Sequence, residues 1–535
     1  MNPNRDLEYT RVEVKRRSAH DKSFKNLLTT KVGTLTPLAY KLSIPNSDHD
    51  ITIPMSAALP PLASDTFMRC SLKAEAFMVP MRLLYGGFES WLTGEKIFEY
   101  VGTSVSEARA KLPRLSIDPV TAGTAAGHSG PGSLMDYLGL RGPVYENVPQ
   151  PNNLYLNCFP LLAYHRIYDD WYRNRKVQKP LFGRPAYIGS ATENLYKLSE
   201  VPYVAYANIG QLALTERFLD GHLLYDLHQR NWGSDYFTEA MPTATGGSPQ
   251  RVTIDQGNSF TISAFRIANA MDAFDNKNNI ASPALQDYCR INYGAKLSDG
   301  VAQRAVYLGS ASYDVYSKGV FATSPSSPTN NPFDSVGARY GSAFASGADF
   351  HVKCHCDEPC YIMVLVSLVP EANYATGLKH DLMIFTEEGS LMDLPNPTFE
   401  LIGNEPIYSV ELGATGAAED YKEEVFAWQH RYTWFKTAVN EIHGEFVDGQ
   451  SLASFVAQRS LFASVLGSDF LKIGTDALDN VTAVTGDLSR YGVMIDSHVL
   501  WKVSEPLGES ALPSLVDPAA EHGESIYIRN QGSRL

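Results

Sequence analysis

The sequence predicts a mainly β protein with long loops between its strands and a few short helices. Hydrophobic residues make up 44% and charged residues 19% of the chain, and Gly, Pro, Tyr and Phe are abundant. Short strand-like runs recur between turn signals, whereas clear helical periodicity occurs in few places. At 535 residues the chain exceeds the length at which a single core usually stops growing. We therefore expect one sandwich enlarged by insertions, or two to three lobes.

Six segments indicate β-strands because β-branched and aromatic residues alternate or run together between turn residues. They are residues 67–79, 259–267, 350–356, 361–369, 426–434 and 496–503. Between strands we expect long loops, because Gly, Pro, Ser and Thr are concentrated at residues 121–133, 241–250 and 323–346. Long loops in a compact protein usually carry its contacts or its surface variation.

One segment predicts a helix with an aromatic face. Pro160 suits the first turn of a helix, and the basic residues that follow Tyr172 suit its last turn, where cations meet the negative end of the dipole. Residues on one face recur at helical spacing, and a stripe of this kind is typical of a core or a subunit interface, less often of a base-stacking platform. The candidate core or interface residues are Tyr164, Tyr168, Trp171, Tyr172 and Arg175.

Charge is distributed unevenly along the chain. The formal net charge is −14, yet residues 1–31 carry eight basic and four acidic residues, which leaves −18 on the rest. We expect residues 1–31 to form a basic N-terminal arm that neutralises phosphates without reading sequence. An ordinary solvated terminus is the alternative explanation. The candidate nucleic-acid contacts are Arg5, Arg11, Lys15, Arg16, Arg17, Lys22 and Lys25.

A short cluster of histidines and cysteines has the residue types of a metal site but not the spacing. Zinc sites normally use two paired knuckles with two to four intervening residues, whereas Cys354 and Cys356 are separated by one residue and no second pair follows. Alternation along a strand places these two cysteines on one face and His351, Lys353 and His355 on the other. We therefore expect no metal here, and a turn after Cys356 that leads into the next strand.

Cysteine use, apolar runs and motif content restrict the remaining classes of protein. Six cysteines in a chain of this length, three of them isolated, are typical of a reducing compartment. The longest apolar run, residues 361–369, is too short to span a bilayer, and the N-terminus has charges where a signal peptide is apolar. P-loop, nucleophile-elbow, zincin and dinucleotide-binding motifs do not occur. We expect a soluble, unexported protein that is not an enzyme, although a triad of distant residues leaves no local motif.

A series of segments covering most of the chain carries a family resemblance. In chain order they are VGTLTP at 32–37, AFMVPMRL at 76–83, WLTGE at 91–95, MDYLGL at 135–140, PLLAY at 160–164, IYDDWYR at 167–173, DYFT at 235–238, AMP at 240–242, YLG at 307–309, LPNPTFE at 394–400, WQHRY at 428–432 and GE at 444–445. Their order and spacing resemble the major capsid proteins of the Microviridae, the small icosahedral single-stranded-DNA bacteriophages, in particular the gokushovirus-like branch. Two departures mark a diverged member. That branch has a long variable insertion after the segment matching Met241-Pro242, whereas here only about two dozen residues separate this segment from the stretch Phe265 to Met271. In addition, IPNSD at 44–48 replaces its Pro-Gly-Asp turn.

The resemblance implies an eight-stranded antiparallel jelly roll, the β-sandwich of viral capsids, with long insertions between its strands. Residues 32–535 are then expected to form one jelly-roll capsid domain. Its large insertions are expected at residues 100–250 and 270–345, and an extended C-terminal segment at residues 504–535.

The resemblance also implies a function: a major capsid protein that self-assembles into a small T=1 icosahedral shell around a circular single-stranded DNA genome. The partners it implies are further copies of the chain, the packaged DNA, a small basic DNA-binding protein, an internal scaffolding protein, a DNA pilot protein and a bacterial host surface receptor. No membrane and no cofactor are expected. The implied location is the virion, after assembly in the host bacterial cytoplasm.

Two functions of other classes are alternatives at this point. One is a β-sandwich carbohydrate-binding or carbohydrate-active protein, because the same sandwich carries many functions. It would have a concave aromatic groove with paired carboxylates. The other is a phage spike or receptor-binding protein, which would form trimers and not closed shells.

Overall fold

A computed structural model describes about two thirds of the chain, in a series of ranges. They are 17–64, 66–85, 88–94, 96–101, 104–109, 112, 114–117, 131–139, 154–181, 212–213, 222–244, 266, 270–271, 274, 284–322, 339–347, 349–375, 377–384, 393–400, 403–414, 424–459, 465–483 and 492–507.

Strands dominate the described residues. In chain order they are β1 (Ser18–Asp21), β2 (Phe24–Thr30), β3 (Thr36–Ser43), β4 (Ser47–Ile53), β5 (Met55–Ala58), β6 (Cys70–Pro80), β7 (Lys96–Val101), β8 (Ser104–Arg109), β9 (Arg114–Ile117), β10 (Leu154–Asn157), β11 (Leu212–Ala213), β12 (Val306–Ala322), β13 (Arg339–Ser346), β14 (Phe350–Cys356), β15 (Cys360–Pro370), β16 (Asn404–Tyr408), β17 (Val425–His430) and β18 (Val493–Glu505).

The helices are short. They are α1 (Phe88–Thr93), α2 (Leu134–Tyr137), α3 (Phe159–Ile167) with a π-helical turn at Tyr168–Tyr172, α4 (Leu285–Tyr293), α5 (Pro397–Glu400), α6 (Thr433–Lys436) and α7 (Ser468–Leu471). Single 3-10 turns lie at Met81–Leu83, His380–Leu382, Ser409–Leu412, Gly444–Phe446 and Ala453–Phe455. The prediction of a mainly β chain with few short helices is confirmed.

One antiparallel sheet of eleven strands organises the subunit, and strand β18 joins its two parts. The N-terminal half of β18 lies between β2 and β5, and its C-terminal half lies between β1 and β4. The first part runs in the order β2-β18-β5-β13-β12-β6-β15-β3, and the second in the order β14-β4-β18-β1. Three smaller sheets pair β9 with β10 and β11, β16 with β17, and β7 with β8.

The two parts of the sheet pack face to face around a common core. The Tyr313 hydroxyl on β12 donates to the Ile53 carbonyl on β4 at 3.2 Å and accepts from the Phe350 amide on β14 at 3.0 Å. The Cys356 thiol on β14 lies 3.5 Å from the Met78 sulfur on β6. Trp501 of β18 is completely buried in the core between the layers. The arrangement is that of a viral capsid β-sandwich, as the resemblance implied.

Strand β15 is buried on both faces, which explains its continuous apolar run. Ile362, Val364 and Val366 belong to the core between the two layers. The alternate residues Met363 and Leu365 belong to a second core beneath α3. Successive side chains of a strand point to opposite faces, so β15 is shared by both cores.

Several sequence predictions need correction at the level of single elements. The only described residue of the predicted strand 259–267, Arg266, is helical, and the strand predicted at 426–434 ends at His430 and gives way to α6. The loop predicted at 323–346 contains β13, which pairs with β5 and β12. Its Gly, Ser and Ala residues have low strand propensity, and its two neighbours hold it in the sheet.

Parts of the predicted arm, of one predicted insertion and of the predicted C-terminal segment belong to strands of the main sheet. Residues 18–30 of the predicted arm form β1 and β2, and residues 306–322 and 339–345 of a predicted insertion form central strands of the main sheet. β18 extends to Glu505, so the predicted C-terminal segment begins inside this strand.

Leu365→Ala tests the shared core. We expect it to lower the free energy of unfolding of the unassembled subunit by about 2–5 kcal/mol, because it removes a fully buried side chain and leaves a cavity. Leu382→Ala is the matched control, since Leu382 is 66% exposed. Denaturant unfolding followed by fluorescence measures both, and equal losses would contradict a core shared through β15.

Candidate assembly and nucleic-acid surfaces

Helix α3 and its π turn form the best-defined polar and aromatic cluster of the described residues. The Phe159 amide at the start of α3 donates to the Asn157 side chain at 3.0 Å, and Pro160 lies in the first turn, as predicted. After Ile167 the helix widens, and the Arg173 amide bonds to the Tyr168 carbonyl five residues back at 3.0 Å. A single π-helical turn within an α-helix often marks a functional site. Here the wider turn changes the direction of the side chains that follow it.

The aromatic stripe on this helix packs against the rest of its own chain. Tyr164, Tyr168 and Tyr172 are buried, and Trp171 and Arg175 are partly buried. The Tyr164 hydroxyl donates to the Leu35 carbonyl at 2.9 Å, and the Trp171 indole N–H donates to the Ala305 carbonyl at 2.8 Å. The sequence left open whether the stripe belongs to the core or to a subunit interface. The contacts that the structure describes for these residues are core contacts.

Buried acidic groups next to the stripe are each matched by an arginine. Asp169 and Asp170 pair with Arg173 and Arg166 at 2.7 and 2.8 Å, on successive turns of the same segment. The two carboxylates have little access to solvent, so removing Arg173 would leave the buried charge of Asp169 without its cation, whereas Asp170 would keep Arg175 at 3.8 Å. Such a network fixes the orientation of the π turn.

A second ion pair connects this helix to the main sheet. Glu75 on β6 accepts a hydrogen bond from the Tyr172 hydroxyl at 2.5 Å and pairs with the Arg230 guanidinium. Burial raises the pKa of Tyr172 well above its usual value, and the neighbouring Glu75 charge acts in the same direction. The phenol therefore stays protonated and remains a donor. Glu75 thus joins strand β6, the π turn and the segment that contains Arg230.

Two buried histidines lie under the same helix. His165 Nδ1 and His228 Nε2 are 2.8 Å apart, and the His228 ring stacks on Tyr168 with ring centres 3.9 Å apart. His228 Nδ1 has no hydrogen-bond partner in the part of the chain that the structure describes. Burial lowers the pKa of His228 well below its usual value, and repulsion from His165 lowers it further. His228 is therefore neutral in the folded subunit at neutral pH.

The histidine and cysteine cluster has the strand geometry that its spacing predicted. On β14, Cys356 points inward and is buried, whereas His351, Lys353 and His355 are exposed on the opposite face. His355 hydrogen-bonds Asp48 at 2.6 Å, and this bond raises the pKa of His355. Among the residues described, no three acidic, histidine or cysteine side chains are grouped closely enough to hold a metal ion.

The predicted nucleic-acid contacts divide into two sets. Arg5, Arg11, Lys15 and Arg16 lie outside the described residues. The other three belong to or adjoin β1 and β2 and pair with carboxylates on neighbouring strands: Arg17 with Asp48, Lys22 with Glu505 at 3.0 Å, and Lys25 with Asp496 at 3.2 Å. Their charge is thus partly neutralised within the subunit.

Exposed apolar side chains concentrate on and near α4. This helix buries none of its residues, and Leu285 and Tyr293 are 59% and 74% exposed. Val301, in the turn that comes after it, is 65% exposed. Clusters of exposed apolar side chains are typical of surfaces that another molecule covers. The region of α4 is therefore a candidate assembly surface.

Sequence reasoning missed the residues that anchor the aromatic helix from outside. Glu75 and Arg230 are 155 residues apart in the chain, and His165 and His228 are 63 apart. His165 belongs to the aromatic helix itself, whereas Glu75, Arg230 and His228 lie on other segments. No sequence-local signal links them, since only the folded sheet brings them together.

Comparison with known proteins identifies the family. The family model described as "Capsid protein (F protein)" of phages matches residues 10–256 and 223–492, which is most of the chain. The chain belongs to this phage capsid protein family. Its resemblance to the major capsid proteins of the Microviridae is thereby confirmed, and the location expected for a capsid protein is the virion. In the part of the chain described, no helix is long and apolar enough to cross a membrane.

Two relatives carry the same family assignment in their names. The capsid protein VP1 of Bdellovibrio phage phiMH2K is 22% identical over 470 residues, which cover 80% of this chain and 82% of that protein. The capsid protein VP1 of Chlamydia phage 1 is 27% identical over 253 residues, which cover 46% of this chain and about a third (36%) of that protein. At these identities the chain is a diverged member of the capsid family.

The buried histidine predicts acid sensitivity of the subunit. The unfolded chain binds a proton at His228 below about pH 6.5, whereas the folded chain resists it, so stability should fall as the pH drops from 7 to 5. Below about pH 6.5, this histidine lowers the free energy of unfolding by about 1.4 kcal/mol for each pH unit, as long as it stays neutral in the folded chain. Urea unfolding at each pH should show a smaller slope for His228→Gln. His443→Gln, at an exposed histidine, is the control and should keep the wild-type slope.

Proposed function

We propose that this protein is the shell subunit of a small T=1 icosahedral capsid that encloses a circular single-stranded DNA genome. The observation that carries the proposal is the capsid family match over residues 10–492, together with a two-layer β subunit. A closed shell requires each subunit to present several surfaces that are covered by copies of itself. The exposed apolar residues around α4 supply one such surface.

The packaged DNA is contacted, in this proposal, by the basic residues that precede β1. Arg5, Arg11, Lys15 and Arg16 supply charge without sequence preference. Lys22 and Lys25 contribute less, because Glu505 and Asp496 already pair with them.

Further partners follow from the charge balance and from the family resemblance. The chain beyond residue 31 carries a net charge of −18, so the shell by itself is a poor counterion for DNA. A small basic DNA-binding protein would share the neutralisation. An internal scaffolding protein, a DNA pilot protein and a bacterial host surface receptor complete the proposed partners, with assembly in the host cytoplasm. The role is structural, and neither a carbohydrate-active protein nor a spike is favoured by the family.

Assembly tests the α4 surface. Leu285→Glu combined with Tyr293→Glu should reduce the yield of small icosahedral particles at least tenfold, because charges would replace apolar contacts between copies. Negative-stain electron microscopy counts the particles. The thermal unfolding midpoint of the unassembled variant should match wild type, since α4 buries no side chain in the subunit. Normal particle yield would exclude this surface, and discrete trimers of the wild type would argue for a spike.

Salt titration tests the DNA contacts. Substituting Arg5, Arg11, Lys15 and Arg16 together with Gln should reduce the slope of log affinity against log salt for single-stranded DNA by up to about 3, at roughly 0.7 per phosphate contact. Lys22→Gln with Lys25→Gln is the matched control and should change the slope by less than about 1. Fluorescence anisotropy with an oligonucleotide measures both. A slope unchanged by the four substitutions would remove the arm from the proposed DNA interface.

A further inference from the structure

Two neighbouring connections cross between the layers of the sandwich at one corner. Residues 44–46 lead from β3 to β4, and residues 357–359 lead from β14 to β15. Strands β4 and β14 pair in one layer, and β3 and β15 pair in the other. The Asn46 amide donates to the Cys356 carbonyl at 2.6 Å, which joins the two connections directly. They therefore run side by side.

The residues that flank the two connections are matched across the strands. Ser47 on β4 is opposite Cys356 on β14, and Ser43 on β3 is opposite Cys360 on β15. The Ser43 and Ser47 hydroxyls are 2.6 Å apart, so side chains at the flanking positions meet between the layers. Cys356 and Cys360 hold the equivalent positions on the adjacent strands, and both are completely buried.

Three thiols are in contact at this corner. The Cys354 and Cys360 thiols each donate a hydrogen bond to the Cys356 sulfur. The Cys356 thiol in turn donates to the Met78 sulfur at 3.5 Å. Within the described ranges, these sulfurs do not surround a point that could hold a metal ion. Thiols that touch without a metal between them can be oxidised to a disulfide.

Access to the three thiols differs. A fully buried neutral thiol is inert towards dissolved reagents, which applies to Cys356 and Cys360. Cys354 is partly exposed and lines a surface pocket of about 480 Å³ between residues of β4, β14 and β18. The hydrogen bond to Cys356 and burial raise the pKa of Cys354, so its reactive thiolate is scarce at neutral pH. An oxidant therefore meets Cys354 first, and reacts faster in alkaline solution.

We propose that Cys356 and Cys360 are an oxidative modification site, at which a disulfide links the two layers of the sandwich. Cys354 is the entry point, where an oxidant reaches the thiols. The six cysteines are free in the structure, which thus shows the reduced form of the site. In the oxidised form, β14 and β15 are joined by a second covalent connection besides residues 357–359.

The oxidation proceeds by thiol–disulfide exchange with a disulfide oxidant such as oxidised glutathione. The Cys354 thiolate attacks it, forms a mixed disulfide and releases one glutathione. Cys356 loses its proton and attacks the Cys354 sulfur, which releases the second glutathione. Residues two apart on a strand are about 6.7 Å apart, at the upper limit for a disulfide, so this bond is strained. Cys360 then attacks the Cys356 sulfur and restores the Cys354 thiol. Two protein thiols are oxidised, and one oxidised glutathione takes up their two electrons and two protons.

Peptide mapping of the full-length unassembled subunit tests the site. The folded subunit is treated with oxidised glutathione at about pH 8.5, where more thiolate is present, and is then unfolded in N-ethylmaleimide to block the remaining thiols. Cleavage before Asp357 separates Cys356 from Cys360, so the two peptides stay joined only if a disulfide connects them. Mass spectrometry should find these peptides joined through Cys356 and Cys360. Separate peptides, or a link from Cys354 to Cys360, would overturn the proposal.

Two sets of cysteines serve as controls. Cys70 and Cys158 are buried and should stay reduced throughout. Their oxidation to the same extent would mean that the chain had unfolded, and would overturn the proposal. Cys354→Ser should slow formation of the joined peptides at least tenfold, because the oxidant loses its entry point. An unchanged rate in this variant would contradict the role of Cys354.

Thermal unfolding gives a second readout that does not depend on peptide mapping. The oxidised wild-type subunit should unfold at a temperature at least about 2 °C above the reduced subunit, because the link restricts the unfolded chain. Cys356→Ser with Cys360→Ser is the matched control and should unfold at the same temperature with and without glutathione treatment. Serine suits these positions, since Ser43 and Ser47 already hold the equivalent ones. An unchanged or lower midpoint in the oxidised wild type would overturn the proposed link.

Discussion

The burial of strand β15 on both faces is the constraint on which the rest of the subunit depends. One set of its side chains fills the core between the two sheet layers, and the alternate set fills the core beneath α3. A strand in this position has little room for polar residues, which explains the apolar run from Cys360 onwards, interrupted by Ser367, whose hydroxyl accepts from Arg230 at 3.3 Å. The sandwich and the aromatic helix are consequently not separable units. A change at one face of β15 is transmitted to the other through a single backbone.

Above this strand, buried charge adds geometric specificity to hydrophobic packing. The carboxylates of Asp169, Asp170 and Glu75 are each held by an arginine, and the Tyr172 phenol adds a further donor to Glu75. Buried pairs of this kind contribute little net stability compared with apolar substitutes, yet a misplaced partner is costly. They therefore select one orientation of the π turn among the many that apolar contacts alone would tolerate. A subunit that must match its neighbours in a shell benefits from such selection.

The extent to which the fold could be predicted depends on how local each signal was. Alternation predicted β14 with its observed bounds, and the faces of Cys356 and His355 with it, because period-two patterning is a property of adjacent residues. Strand β13 was missed because its Gly, Ser and Ala residues become a strand only between β5 and β12. The capsid identity came from ordered family segments, not from composition.

In the candidate surfaces, too, the features set by adjacent residues could be predicted, whereas those set by contacts between distant segments could not. The aromatic stripe was visible as helical periodicity, but its partners Glu75, Arg230 and His228 were not, since they lie on distant segments without a motif. Net charge identified a basic N-terminal region, whereas the carboxylate partners of Lys22 and Lys25 come from the opposite end of the chain. Pairing across such distances is a property of the folded sheet, and no local pattern contains it.

Strand β18 has a consequence for how the subunit is made. Among the described strands, β1 and β2 pair only with β18, so the first strands of a nascent chain lack these partners until residues 493–505 have been synthesised. Contacts of this sequence separation form slowly, because a long loop must close before they contribute any stability. An incomplete translation product lacks the strand that joins the two layers. The sandwich therefore cannot be completed on a chain whose synthesis stops before residue 493.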